Sequence, residues 1–154
     1  RRSVKKQAVL IKENMENGLN VILFPEGTSS DGSKVLSFKS SLFEVVDHQE
    51  LRNYKLQPIS ISYNKLDGLP LVKTHRPFLA WFGAMNLAPH FWQFLGLGTS
   101  EVNISFHKSE KFSVFLNRKE ACKYCFERLS EQVKIDYQLL EVDNQIKLNE
   151  FKFL

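Results

Sequence analysis

Val21-Ile22-Leu23-Phe24-Pro25-Glu26-Gly27-Thr28-Ser29-Ser30 decides how the chain is read, because four apolar residues run straight into a turn of Pro, Gly and hydroxyl side chains. A β-branched and aromatic run that stops on such breakers predicts a buried strand delivering a polar loop to its carboxyl end. Open α/β sheets bind their ligands there. Apolar spacing resumes near Phe38, and Leu42, Phe43, Val45 and Val46 predict a helix ending near His48. Strand, loop and helix in that order would turn backbone N–H groups and a helix dipole towards an anion.

Upstream of this stretch, Val4, Ala8, Ile11 and Met15 fall at helical spacing and Gly18 follows as a C-terminal cap, which predicts an amphipathic helix over 3–17. The short connection to residue 21 makes helix and strand antiparallel neighbours in an α/β layer. Downstream, residues 56–63 read as a strand with Pro58 near its start, where a missing N–H is tolerated. Ile59 and Ile61 alternate with Ser60 and Ser62, so one face should be buried. Residues 64–68 are turn chemistry. Val102, Ile104 and Phe106 mark a third strand, and Asn117 can cap a helix whose apolar stripe is Ala121, Cys122, Cys125, Phe126, Leu129 and Val133. From about Lys134 the chain is mixed and polar, a helical extension or an interaction tail. The expected fold class is therefore α/β, a mixed central sheet flanked by helices, with 1–133 as domain and 134–154 as tail.

At 154 residues and 43% hydrophobic content the chain can form one globular core. Its formal charge of +4 is mild, and the local excess lies at the start, in Arg1, Arg2, Lys5, Lys6 and Lys12. Such an arm could meet nucleic acid, anionic lipid or a phosphorylated substrate, or simply solvate a helix face. The aromatic residues sit apart from it, in an uncharged stretch, which argues against a nucleic-acid interface. Residues 78–99 carry no formal charge with His90 neutral, yet Gly83, Asn86, Pro89, His90, Gln93, Gly96 and Gly98 interrupt them too often for a membrane span. Trp81, Phe82, Phe91, Trp92, Phe94 and Leu95 suit either an interfacial or ligand-channel surface or a core-packing helix. Cys122 and Cys125 form a C-x-x-C without two further ligands, so no metal site is expected and the pair reads as core-facing or semi-exposed thiols, consistent with a reducing compartment.

Gly27-x4-Gly32-Ser33-Lys34 tempts a phosphate-loop reading, but that motif needs Lys directly after the second Gly and then Ser or Thr. The inverted order excludes it. The five residues Phe24-Pro25-Glu26-Gly27-Thr28 instead resemble the third sequence block, F-P-E-G-T-R-S, of the glycerolipid acyltransferases, the lysophosphatidic acid acyltransferase family. The surroundings are similar as well. A Phe-Lys pair at the next helix start is matched by Phe38 and Lys39, and the Pro-containing fourth block by Leu56, Gln57, Pro58 and Ile59. Ser29-Ser30-Asp31-Gly32, with Trp81-Phe82-Gly83-x-Met85 and Leu95-Gly96-Leu97, looks like bacterial members in particular, and the resemblance runs from about Arg1 to Val133.

What the resemblance implies is acyl transfer from acyl-CoA or acyl-carrier protein, as substrate and without a further cofactor, to the hydroxyl of a lysophospholipid, typically 1-acyl-glycerol 3-phosphate, in phospholipid biosynthesis. It implies a membrane-surface enzyme at the cytoplasmic face of the inner membrane, with no nucleic acid as partner. Glu26 matches the family carboxylate that contacts the acceptor, Gly27 and Thr28 let donors approach its phosphate, and Ser29, Ser30 and Lys39 complete the expected substrate-binding set. Ser29 stands where the family has Arg, and losing a bidentate guanidinium weakens phosphate recognition unless Lys34, Lys39 or the basic arm substitutes. A lyso-aminolipid acceptor then becomes conceivable. The family base is the His of a His-x4-Asp pair, and no residue of this chain matches it: His48 is followed five positions on by Asn53, His75 by Ala80, His90 by Leu95 and His107 by Phe112. That pair, and a block with a phosphate-binding Arg that Arg1 or Arg2 could still occupy, lie N-terminal of the loop in the family. The expectation is thus a C-terminal portion, inactive alone and without a catalytic residue of its own; the alternative is a non-catalytic lipid-binding remnant.

Overall fold

Helix α1 (Arg2–Glu16) ends as its sequence predicts, for Gly18 adopts a φ of +77° and the N–H groups of Gly18 and Leu19 return to the carbonyls of Met15 and Asn14. This paired closure is a Schellman motif, which a side chain with a Cβ would strain. The computed structural model describes the backbone of residues 2–151 and the side chains of residues 7–141. The side chains of Arg1, Arg2, Lys5 and Lys6 lie outside it, and Lys12 is held by Glu50 at 2.8 Å and Glu16 at 3.7 Å.

The chain divides into two units, the first made of Arg1–Gly27, Ser37–Pro58 and His107–Arg128 and the second of Thr28–Leu36, Ile59–Phe106 and Leu129–Leu154. In the first, Met15 of α1, Phe43, Val45 and Val46 of a 3-10 helix at Ser40–Asp47, Leu51, Phe112, Phe115, and Ala121, Cys122 and Cys125 of helix α4 (Arg118–Phe151) share one core. The predicted helix after the loop is thus a 3-10 helix. The adjacent β-branched Val45 and Val46 lower α-helix propensity there, and the segment keeps the tighter winding over all eight residues. Strands β1 (Lys55–Leu56) and β5 (Glu110–Lys111) pair antiparallel, Lys55 opposite Lys111. Asn117 caps α4, its side-chain oxygen accepting from the N–H groups of Lys119 at 2.9 Å and Glu120 at 3.2 Å. Both cysteines are free and buried, and burial pushes the Cys125 thiol up to about 12. No cluster of three metal-ligating side chains occurs among the described residues.

Residues 21–24 correct the sequence reading. They form no ladder with any described strand, and Ile22 is 81% and Phe24 74% exposed while Leu23 packs on the core. A fully buried strand needs hydrogen-bonding neighbours, and none of the described strands pairs with this segment.

The second unit holds β2 (Ile59–Leu66), β3 (Leu69–Pro70), α2 (Arg76–Leu79), α3 (Leu87–Leu95) and β4 (Ser100–Phe106), with β2 central and antiparallel to both β3 and β4. Asp67 and Gly68, both at positive φ, make the two-residue hairpin between β2 and β3. The α/β class read from the sequence holds, and all described pairings are antiparallel. One face of β2 is buried, as the alternation predicts, and it is the polar one. Ser60 and Ser62 are the buried residues of β2, and Ser62 donates at 2.5 Å to Asp136 of α4, which also accepts from Asn103 of β4 at 3.2 Å and from Gln132 at 2.8 Å. The apolar cross-strand pairs Ile59–Phe106, Ile61–Ile104 and Tyr63–Val102 occupy the other face, where Ile61 is 49% and Phe106 70% exposed. Alternation fixed the two faces but could not say which one the chain covers.

From Lys134 the helix simply continues to Phe151, and Val133, Tyr137 and Leu140 form a small buried stripe with Val35. Helix α3 is amphiphilic in the opposite sense: Phe91, Trp92 and Leu95 are all more than half exposed and His90 alone is buried, its ring 3.4 Å from the Pro77 carbonyl. No helix among the described residues is long and apolar enough to cross a membrane. Substituting Asp136→Ala should cost about 2–3 kcal/mol in urea unfolding, because three buried or half-buried donors lose their acceptor together. Asp136→Asn, which keeps a carbonyl oxygen, should cost less than Asp136→Ala, and equal losses would show that hydrogen bonding is not what Asp136 supplies.

Candidate functional site

Pro25 follows the extended residues 21–24 and presets φ for a turn; the Gly27 N–H donates to the Phe24 carbonyl at 3.1 Å. Glu26, at the third position, has no positive φ, so the turn is type I and Gly27 follows it at φ +66°. The Pro25 carbonyl in turn accepts from the Lys39 N–H at 2.9 Å, which closes the base of a loop whose two ends lie in the first unit. Lys39 lies along Gly27. A Cβ at Gly27 would come within 2.5 Å of the Lys39 ammonium, the end of a flexible side chain that would have to swing away, and the φ of +66° itself disfavours any residue but glycine. The turn therefore brings a half-buried carboxylate, Glu26, an uncluttered backbone at Gly27 and a cation, Lys39, into one short segment. Because the Gly27 amide is already engaged, an anionic group meeting this turn would find its charge complement in Lys39 rather than in that N–H.

The remaining predicted residues belong to the second unit. Thr28 and Ser29 are exposed, and the Thr28 hydroxyl is 3.5 Å from the Ser29 carbonyl. The Ser30 hydroxyl accepts from the Gly32 N–H at 3.2 Å, and Asp31 accepts from the Ser33 N–H at 3.0 Å and the Ser33 hydroxyl at 2.9 Å. These Ser33 donors, followed by the charges of Lys73 and Arg76, hold the Asp31 carboxyl below the usual carboxylate range. Tyr137 donates to the Gly32 carbonyl at 2.7 Å, and the Arg76 guanidinium lies 3.5 Å over its ring. Sequence reading missed Tyr137 and Arg76. Tyr137 sits in the stretch without an evident period, although Val133, Tyr137 and Leu140 are spaced by four and three. His48, His75, His90 and His107 include no member of a His-x4-Asp pair, and the C-x-x-C thiols are core residues.

Two comparisons with known proteins converge on one chemistry. A family model described as Acyltransferase matches residues 1–62, the segment that contains the turn. The lyso-ornithine lipid O-acyltransferase of Rhizobium meliloti is 34% identical over 137 residues, which is 86% of this chain and 47% of that protein. Proteins of the same name from Brucella abortus and Rhodobacter capsulatus are 35% identical over 91 residues and 31% identical over 128 residues, covering 56% and 80% of this chain and 34% and 44% of theirs. No solved structure matches. The chain belongs to the glycerolipid acyltransferase family, as the Phe24–Thr28 block implies. It spans about half the length, or less, of the curated relatives it matches.

Gly27→Ala should destabilise the chain by about 1 kcal/mol or more in denaturant unfolding, from the unfavourable φ together with displacement of Lys39. In the double variant with Lys39→Ala, the part due to the contact should disappear and the part due to φ remain. Parental stability for Gly27→Ala would show that the turn does not have this geometry.

Proposed function

We propose that the chain carries the acceptor-binding side of an enzyme that moves an acyl group from a thioester donor, acyl-CoA or acyl-carrier protein, to the hydroxyl of a lysolipid. The observation that carries this reading is the closed type I turn, with Glu26 and Lys39 brought to Gly27. In the reaction a base removes the hydroxyl proton, the oxygen attacks the thioester carbonyl, the C–S bond breaks and the thiol leaves with a proton. Glu26 orients the acceptor through its hydroxyl or a neighbouring polar group, and Lys39 meets its anionic end. The base comes from residues outside 1–154, so the 154-residue chain by itself binds acceptor without turning it over.

For the acceptor, a lyso-ornithine-type lipid is favoured over 1-acyl-glycerol 3-phosphate. Support comes from the relatives, which are named lyso-ornithine lipid O-acyltransferases, and from Ser29, which stands where the family has a phosphate-reading Arg. Exposed Trp81, Phe91 and Trp92 supply aromatic rings that favour the boundary of water and acyl chain, consistent with a lipid surface at the cytoplasmic face of the membrane.

The test joins the chain to the coding sequence upstream of Arg1 and follows thiol release from acyl-CoA with each acceptor. The expectation is turnover with lyso-ornithine lipid, lowered about tenfold or more by Glu26→Gln as a charge-assisted contact is lost, and little with lysophosphatidate. Preference for lysophosphatidate would overturn the acceptor assignment. Lipid binding that needs Glu26 but is never followed by thiol release would favour the non-catalytic remnant.

A further inference from the structure

Within the second unit a cleft of about 410 Å³ opens between the loop residues that follow the turn, the segment leading into α2 and the face of α4. Among the described residues its cationic lining is Lys34, Lys73, Arg76 and Lys134, against one lining carboxylate, Glu141. Arg76 is 8% exposed, and its Nε has no hydrogen-bond partner. Its guanidinium rests on the Tyr137 ring, and no ion pair or side-chain hydrogen bond of Arg76 occurs among the described residues. The nearby acid, Asp31, directs both carboxylate oxygens to Ser33. A second lining group, the buried Ser130 hydroxyl, is likewise without a hydrogen-bond partner.

A guanidinium removed from water, stacked on an aromatic face and with the Asp31 carboxylate acting on it only through space, is costly, since neither supplies what a hydrogen-bonded anion does. The tyrosine fixes the plane of the group by holding one face, and Tyr137 is itself fixed by its bond to the Gly32 carbonyl. The charge is therefore pre-positioned, with three lysines around it and a hydroxyl at the wall. Planar donors flanked by flexible ammonium groups suit a tetrahedral oxyanion better than a single carboxylate. We propose that this cleft binds a phosphate group, that of a phosphorylated ligand or free phosphate, with Arg76 as its fixed donor and Lys73 and Lys134 closing on it. The assignment is independent of the acceptor turn and does not rest on the acyl-transfer reading.

The experiment is calorimetric titration of the folded protein with coenzyme A, with inorganic phosphate, and with phosphatidylcholine vesicles with and without lysophosphatidate. Saturable binding of at least one of these is expected, weakening as salt is raised. Binding by coenzyme A alone identifies a donor-type nucleotide phosphate, by lysophosphatidate vesicles alone a lipid headgroup, and by all three a general phosphate site. Because Arg76→Ala removes a buried side chain, the exposed pair Lys73→Glu with Lys134→Glu carries the test. It should weaken binding about tenfold or more with an unchanged circular dichroism spectrum, while Lys123→Glu in the first unit should leave it unaltered. Absence of binding by every probe, or equal binding by the Lys73→Glu, Lys134→Glu variant, would overturn the assignment.

Discussion

One turn of α4 sets the second unit. Asp136 gathers Ser62, Asn103 and Gln132, so it fixes which side of β2 and β4 faces the helix; Tyr137, its neighbour, takes the Gly32 carbonyl and supports Arg76. A buried carboxylate is tolerated only when its lone pairs are occupied, and here three donors converge on it. Since side chains alternate strictly along a strand, tying Ser62 inward forces Ile61 and Ile104 outward. The apolar face of the sheet and the basic cleft are two consequences of the same short helical segment.

In the first unit the controlling constraint is smaller. Pro25 and Gly27 bracket Glu26, and the Lys39 N–H ties the far end of the loop back to Pro25, so backbone geometry brings Glu26 and Lys39 to Gly27.

The sequence was legible where the signal is local. Gly18, Asn117 and the Pro25 turn each act on their own few residues and appear where their chemistry predicts, whereas residues 64–66, read as turn, continue β2 and only Asp67 and Gly68 make the hairpin. It was misleading where the outcome depends on what an element packs against. Residues 21–24 have strand composition but no ladder among the described residues, and the isoleucines of β2 face away from α4 because an aspartate waits on that side. Arg76 and Tyr137 carried no motif at all. They lie 61 positions apart, and only the fold stacks them.

The outward-facing sheet is the claim on which the arrangement of the second unit turns, and thiol accessibility tests it at adjacent positions. Single cysteines at Ile61 and Ser62, in a background with Cys122 and Cys125 replaced by alanine, are compared for their rate of reaction with a soluble thiol reagent under native conditions. Ile61→Cys should react readily and Ser62→Cys should be protected until the chain unfolds. The opposite order would mean that the strand is turned the other way, with its isoleucines against the helix and Asp136 left without its serine.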